Sequence, residues 1–431
     1  MGMGEVADRA KSASRRLAAI ETEAKNAALV SIATALQSNA QAIIAANQAD
    51  LAKAQEDQLA EPLLKRLRFD QAKLSAVCDG IDSLVGLDDP VGQTLDATEL
   101  DEGLELYKVS CPIGVIGVIF ESRPDALVQI STLCLKSGNA VLLKGGREAA
   151  QTNRLLTDTI TQAGEAAGMP SGWIQLLETR EDVAEMLSLD DAIDLIIPRG
   201  SNAFVRYIME NTTIAVLGHA DGICHVYVDG DADLEMARRI VVDDKCQYVA
   251  VCNAAETLLV DEAIAAAFLP LIQTDLEKEG TEIRGCKKTV VLIHCPAATE
   301  EDWRTEYLDH ILSVRVVSGL SEAIDHINHY GSGHTDCIVT NVPERAAQFM
   351  TRVDAGNVFW NTSSRFSDGF RYGLGAEVGV STNKIHARGP VGLEGLVIYK
   401  WKLLGQGHIV GDYDGTGRQF THTKLDKKYP L

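Results

Sequence analysis

No CxxC pair occurs in this sequence, although it carries nine cysteines. The number is odd and the residues are scattered, so neither the spacing of a zinc site nor a disulfide framework is present. No metal is expected, and a reducing, cytoplasmic compartment fits best. Basic residues are few: 40 Lys and Arg stand against 61 Asp and Glu, a net charge of −21. That balance excludes nucleic acid and an anionic membrane surface as partners, because phosphates need clustered Lys and Arg. An anionic small substrate would need a local cluster of bases. Long apolar runs are also missing. "PIGVIGVIF" is short and interrupted by Gly, so no membrane span is expected. The first residues, "MGMGEVADRAKSASRRLAAIE", lack the apolar stretch of a signal peptide. Finally, the GxGxxG fingerprint of dinucleotide binding does not follow the first strand. The nearest string, "GLGAEVG" from Gly373 to Gly379, has other spacing and suits a glycine loop near a site.

What is present describes a globular protein of two or three domains. The chain has 431 residues, 46% hydrophobic and 23% charged. Residues 5 to 55 place apolar side chains at helical spacing ("LVSIATALQSNAQAIIAANQADL"), and the pattern continues to about residue 87. The period then changes. "GVIGVIF", "AVLLKGG", "GWIQLLE", "AIDLIIP" and "IAVLGH" are predicted strands, separated by helical stretches. Apolar strands alternating with helices imply a buried, doubly wound parallel sheet. A second alternating region starts near residue 235, with helix "DLEMARRIVVDDKC" and strands "TLLV", "TVVLI", "LSVRVV" and "DCIVT". The C-terminal forty residues hold a β-rich arm and a polar tail.

Two strand ends carry cations. In "LLKGGREA", Lys144 stands at the carboxyl edge of the sheet beside a helix N-terminus, with Arg147 close by. In "IIPRGSNAFVRYI" the order is strand, Arg199, Gly200, Ser201, helix, with Ser201 a predicted cap. Each alone suits a solvated strand end; the two together point to a phosphate-bearing cofactor. Cys252, in "YVAVCNAAETLLV", precedes small residues and follows a helix at a presumed domain junction. Spacing alone leaves it either a nucleophile or a packed thiol. "NTSSRFSDGFRYGLGAEVGVSTNKIHARGP" gathers Arg365, Arg371, Lys384, His386 and Arg388 in a loop rich in small residues, suited to a carboxylate or phosphate. "YGSGHTD" places His334 in a tight turn.

Taken together, "GVIGVIFESRPD", "LKGGREA", "PRGSNA", "GHADGICHVYVD", "VCNAAETLLV", "AIDHINHYGSGHTD" and "STNKIHARGPVGLEGL" resemble the aldehyde dehydrogenase superfamily, and within it the gamma-glutamyl phosphate reductases. The resemblance runs over about residues 5 to 425. It implies NADPH-dependent reduction of gamma-glutamyl phosphate to glutamate 5-semialdehyde and phosphate, the second step of proline biosynthesis from glutamate. Cys252 matches the nucleophile that forms a thioester. His219 stands where oxidising members carry the Glu that activates water. Arg123, in "FESRPD", stands near the place of their oxyanion-donating Asn. Lys144, Arg147, Gly200, Ser201 and Glu306 match cofactor positions. Arg365, Lys384 and Arg388 are candidates for the substrate's carboxylate and phosphate, and His334 is near the site.

The implied fold is α/β and aldehyde dehydrogenase-like: two doubly wound parallel-sheet domains plus a small β oligomerisation arm. Residues 1–95 and 112–234 would form the NADP-binding domain and 235–385 the catalytic domain. Residues 96–111 and 396–431 would form the arm, implying a homo-dimer or tetramer. No kinase domain is expected within these residues, so a separate glutamate 5-kinase is implied. The alternatives are another semialdehyde or acyl-phosphate oxidoreductase of the same superfamily, and a catalytically silent relative acting as a scaffold.

Overall fold

The protein, described as a computed structural model over residues 2–374, 376–415 and 417–431, begins with five helices between Met3 and Val85. Gly375, inside the "GLGAEVG" string, and Thr416, inside the arm, lie outside the described residues. The first helix, Met3–Leu17, buries Ala7, Ala10, Ala13 and Leu17, a stripe at spacings of three and four. These helices pack on a sheet of four parallel strands. No single helix among the described residues is long and apolar enough to cross a membrane. The bent pair Thr22–Ser38 and Ala40–Glu56 passes only by length and composition. Its Leu29, Ile32, Leu36 and Ile43 are buried in the core.

A hairpin of β1 (Thr94–Asp101) and β2 (Leu104–Pro112) leads into the sheet of β3 (Val115–Phe120), β4 (Ala140–Lys144), β5 (Ile174–Leu176) and β6 (Leu195–Arg199). The strand order is β5-β4-β3-β6. Every residue of β3 and β4 is buried, as a parallel sheet covered on both faces requires. The chain moves outward from β3 through β4 to β5, then returns to place β6 on the other side of β3. The carboxyl ends of β3 and β6 are therefore a switch point, where an open α/β sheet leaves a crevice for ligand.

The second sheet has the order β12-β11-β7-β8-β10-β9. Its strands are β7 (Cys224–Val228), β8 (Ala255–Asp261), β9 (Glu282–Gly285), β10 (Ile311–Val317), β11 (Thr335–Val339) and β12 (Asn357–Trp360), all parallel. Because β7 pairs with β8 and β11, this sheet begins ahead of residue 235. The short pair β13 (Gly379–Ser381) and β14 (Gly389–Val391) returns to the first core, which takes up Val378, Val391, Leu393 and Leu396. Finally β15 (Val397–Leu404) adds to β2 and β16 (Thr423–Lys424) to β1, giving the antiparallel order β15-β2-β1-β16.

Two predicted strands are corrected. "TVVLI" lies in a helix, Lys287–Leu292. Thr289 and Ile293 point inward, Thr289 donating to Val314 O at 3.1 Å, whereas Val291 is 85% exposed. Inward positions four apart are helical, so tertiary contacts override the β-branched propensity. The place beside β10 is taken by β9, which the sequence pattern did not reveal. "IAVLGH" forms only a single bridge, Ile196 to Val216, before the chain leaves the sheet toward the site.

Candidate active site

The two sheets meet with unlike ends. Residues just after β3 and β6 face loops just before β7, β8 and β11. Cys252 lies on the loop before β8, His334 immediately before β11, and His219 on the segment entering β7. Cys252 Sγ and a ring nitrogen of each histidine all lie within 4.8 Å of one another. The two imidazoles meet edge to face, with centroids 4.9 Å apart.

The loop carrying Cys252 is held on both sides. Ser364 Oγ donates to Asn253 O at 2.7 Å, and Asn253 Nδ2 donates to Ser367 O at 2.8 Å. Across the loop, the Cys224 thiol donates to Cys252 O at 3.2 Å. Gly222 explains the glycine in "GHADGIC": a Cβ there would stand 2.1 Å from Cys252 O and 2.5 Å from its Cα. Only a residue without a side chain permits this approach. Asp244, fully buried on the preceding helix, accepts from Ser363 Oγ at 2.6 Å and from Ser364 N at 2.5 Å. It thereby joins the Cys252 region to the loop that bears Arg365.

His219 Nδ1 lies 3.0 Å from Val380 O. A carbonyl only accepts, so Nδ1 carries the proton and Nε2 the lone pair. His334 is buried. Its Nδ1 meets Thr335 Oγ1 at 2.8 Å, and its Nε2 finds no partner among the described residues.

The guanidinium groups of Arg199 and Arg365 lie within electrostatic reach of the thiol. Arg199 ends β6 opposite Phe120 and bonds Glu377 O at 3.4 Å. Burial pushes its guanidinium below the usual range, Glu377 opposes that shift, and Arg123 and Cys252 are among the charges it feels. Arg365 is 8% exposed, with Nε and one terminal nitrogen on Gln247 Oε1 at 3.1 and 3.0 Å. Burial lowers its pKa, Arg371 adds to the shift, and it too feels Cys252. Arg123, exposed, occupies the position just before the helix Pro124–Lys136. The preceding Ser122 has a φ of 43°, in the left-handed region, and Glu148 holds it through Ser122 N and Oγ, each at 2.7 Å. Arg199 was legible only as part of a strand end. Its proximity to the thiol comes from the facing of the two sheets.

Lys384 and Arg388 are placed differently. Both pair with Asp354, Arg388 at 3.0 Å. A Cβ on Gly333 would come 3.4 Å from Arg388, so this cluster braces the turn that carries His334. The two cations share one carboxylate.

On the cofactor side, Gly200 and Ser201 follow β6 at the switch point. A Cβ on Gly200 would stand 3.1 Å from the Glu121 carboxyl. Ser201 occupies the cap position of the helix Asn202–Glu210, but its side chain makes no capping hydrogen bond, contrary to the sequence expectation. Without that bond, the Ser201 hydroxyl leaves the amides of the first turn unclaimed by the cap. Glu306 accepts from Asn202 Nδ2 and so touches the same helix start. Burial raises the Glu306 pKa, and the Asn202 bond opposes this. Lys144 closes β4, with Nζ donating to Gly145 O at 2.6 Å. Arg147 opens the turn that follows, Arg147–Ala149.

One other thiol is distinguished. Burial would raise the Cys286 pKa, but bonds from Thr289 Oγ1 and from the amides of Val316, Thr289 and Lys288 outweigh it and lower the value. Cys286 lies at the start of the helix Lys287–Leu292, away from the histidine pair. Cys252, by contrast, is the thiol that stands beside both histidines.

A family model described as the aldehyde dehydrogenase family matches residues 3–282 and 286–375. The gamma-glutamyl phosphate reductase of Acetivibrio thermocellus is 64% identical over 431 residues, covering 100% of both chains. The crystal structure of gamma-glutamyl phosphate reductase from Thermotoga maritima is 40% identical, with a TM-score of 0.92, covering 94% of this chain and 99% of that one. Glyceraldehyde-3-phosphate dehydrogenase from Methanocaldococcus jannaschii, solved in complex with NADP, is 15% identical with a TM-score of 0.64, covering 93% of this chain and 94% of that one. That likeness extends to the fold.

Proposed function

The chain belongs to the aldehyde dehydrogenase family and, within it, to the gamma-glutamyl phosphate reductases; on that footing we propose that it reduces gamma-glutamyl phosphate with NADPH through a thioester on Cys252. The product is glutamate 5-semialdehyde, on the route from glutamate to proline. The observation that carries this reading is the junction of Cys252 with His219, His334 and the guanidinium groups of Arg199 and Arg365. An acyl phosphate is a dianionic leaving group on an activated carbonyl. A thiolate set among cations is the nucleophile suited to displace it.

In the first step Cys252 Sγ bonds to the acyl carbon and the C–O bond to phosphate breaks. Inorganic phosphate leaves with both electrons of that bond and takes up the proton that the thiol gives up. Arg365, Arg199 and Arg123 neutralise the charge on the phosphate and on the carbonyl oxygen as it becomes tetrahedral. A reduced nicotinamide, when bound, supplies the hydride that takes the thioester carbon to the aldehyde level. The C–S bond then breaks, returning the electron pair to Cys252 as the carbonyl re-forms. His219 in place of a carboxylate preserves the thioester. Its Nδ1 donates to Val380 O, which leaves the lone pair on Nε2. Position 219 itself therefore carries no glutamate base to activate water.

The cofactor residues fit a phosphate-bearing dinucleotide. The uncapped start of the helix Asn202–Glu210, with Gly200 before it, suits a pyrophosphate. Glu306, bonded to Asn202, suits the nicotinamide ribose. Lys144 and Arg147 suit the adenosine ribose and its 2′-phosphate, hence NADPH. Lys384 and Arg388, tied to Asp354, position the His334 turn. The edge strand β15 leaves Tyr399, Trp401 and Leu403 45%, 54% and 54% exposed, so a second copy of the chain is the expected cover, as a dimer or tetramer. The substrate would come from a separate glutamate 5-kinase. Nine free thiols suit the cytoplasm.

The test is phosphate-dependent reduction of NADP by glutamate 5-semialdehyde, the reverse reaction. Wild-type protein should be active, and Cys252→Ala should lose on the order of 10³-fold or more. Retained activity in Cys252→Ala would overturn the thioester; turnover without phosphate would assign the chain to aldehyde oxidation.

A further inference from the structure

We propose that Cys252, His219 and His334 bind a thiophilic divalent cation of the zinc type, which reversibly masks the thiol. One sulfur and two imidazole nitrogens lie within 4.8 Å of one another on three different strand entries. The spacing of sequence motifs gave no hint of this set. It contains no CxxC and no HxxxH, and its members are drawn together only where the strands β7, β8 and β11 begin.

Three features suit the set to a metal. The first is the orphaned His334 Nε2, a buried ring nitrogen without a hydrogen-bond partner among the described residues. An imidazole that is 1% exposed and satisfied only at Nδ1 costs free energy unless Nε2 acquires a partner. The second is tautomer control. His219 donates Nδ1–H to the Val380 carbonyl, which fixes its lone pair on Nε2; at His334 the Thr335 hydroxyl, able to donate or accept, holds the ring at Nδ1 without selecting a tautomer. An outer nitrogen held by an oxygen is the arrangement that orients ligating histidines. The third is donor softness: sulfur and imidazole, with no carboxylate in the set, select zinc-like ions over magnesium or calcium.

The distances are compatible. Metal–sulfur and metal–nitrogen bonds of about 2.3 and 2.0–2.1 Å at a tetrahedral angle place the donors roughly 3.4–3.6 Å apart. The trio, already inside 4.8 Å, needs only a short further approach to reach that spacing. Binding is a ligand exchange without redox change: the Cys252 S–H bond breaks, Sγ bonds to the cation, and one proton leaves to solvent. A fourth position stays open for water. Arg199 and Arg365, both of which feel Cys252, repel a dication. The site is therefore a reversible trap, not the seat of a resident metal.

Binding requires only the trio; the inhibitory consequence rests on Cys252 being the nucleophile proposed above. The experiment separates the two. Metal-free, full-length protein is titrated with Co²⁺, reading the near-ultraviolet sulfur-to-cobalt charge-transfer band. Zn²⁺ is then titrated against a chromophoric chelator, and turnover is followed in parallel. Wild-type protein should bind one equivalent with the sulfur band and lose at least tenfold in rate, restored by EDTA. Cys252→Ser should lose the band. His334→Ala and His219→Asn should each weaken binding at least tenfold, with folding checked by circular dichroism. Cys286→Ser, at the other distinguished thiol, should bind as wild type does. No sulfur band in the wild-type protein, or undiminished binding in Cys252→Ser, would overturn the site. Stoichiometric binding at Cys252 with undiminished turnover would leave the site standing and overturn the nucleophile.

Discussion

Gly222 lies against the backbone of Cys252, so closely that a Cβ at residue 222 would stand 2.1 Å from Cys252 O. The entry to β7 and the loop before β8 thus fix each other. Gly222→Ala should displace Cys252 by a fraction of an ångström to about one ångström. Activity should fall on the order of 10²-fold, since near-attack geometry is that sensitive. Folding should persist, because the change is confined to a loop. Steady-state kinetics with a thermal melt checks this; a fully active Gly222→Ala would mean that the thiol's place does not depend on this contact.

Asp244 ties the helix before Cys252 to the Arg365 loop, and its ionisation sets a pH dependence. Burial raises its carboxyl from 3.8 to about 7, against the pull of Ser363 and Ser364. A raised folded-state value means that the group's contribution to stability is complete below about 3.8 and is lost as pH rises toward 7. Stability should therefore decline over that window by up to about 1.4 kcal/mol per pH unit. Asp244→Asn should flatten this slope. Urea unfolding at pH 5 and pH 7.5 measures it; an equal slope in both proteins would refute the assignment.

Glu306 reaches across from the second sheet's loops to Asn202 on the helix Asn202–Glu210. Glu306→Gln should raise the cofactor KM roughly tenfold or more, with a smaller effect on the substrate KM, as expected for the loss of a charged hydrogen-bond acceptor. An unchanged cofactor KM would place the nicotinamide ribose elsewhere.

Arg365 is buried and its guanidinium is held in place by Gln247. Arg365→Lys retains the charge but loses the planar fork. It should lower kcat/KM for gamma-glutamyl phosphate on the order of 10²-fold while leaving cofactor binding intact by fluorescence titration. Equal loss of both would point to a folding defect.

Most of the fold was legible because its period changes were legible. The helices before residue 87 show an apolar stripe, and β3 and β4 are apolar throughout because both faces are covered. The legible parts failed where tertiary contact overrode propensity. "TVVLI" has the composition of a strand, yet Thr289 and Ile293 anchor it as a helix beside β10. The cap assigned to Ser201 failed for the opposite reason: position was right, but its hydroxyl does not turn to the helix.

The sequence by itself determined the two alternating regions, the absence of a glycine fingerprint, the acidic balance, and Cys252 as a thiol among small residues. Those are properties of neighbours along the chain, and periodicity and steric size act at that range. The tertiary structure alone decided that Cys252 meets His219 and His334, that Arg199 comes within electrostatic reach of the thiol, and that Lys384 and Arg388 pair with Asp354. Those relationships join residues far apart in the chain. They arise because the carboxyl edge of one parallel sheet faces the amino edge of another, a geometry that strand order and packing create and that no local pattern encodes.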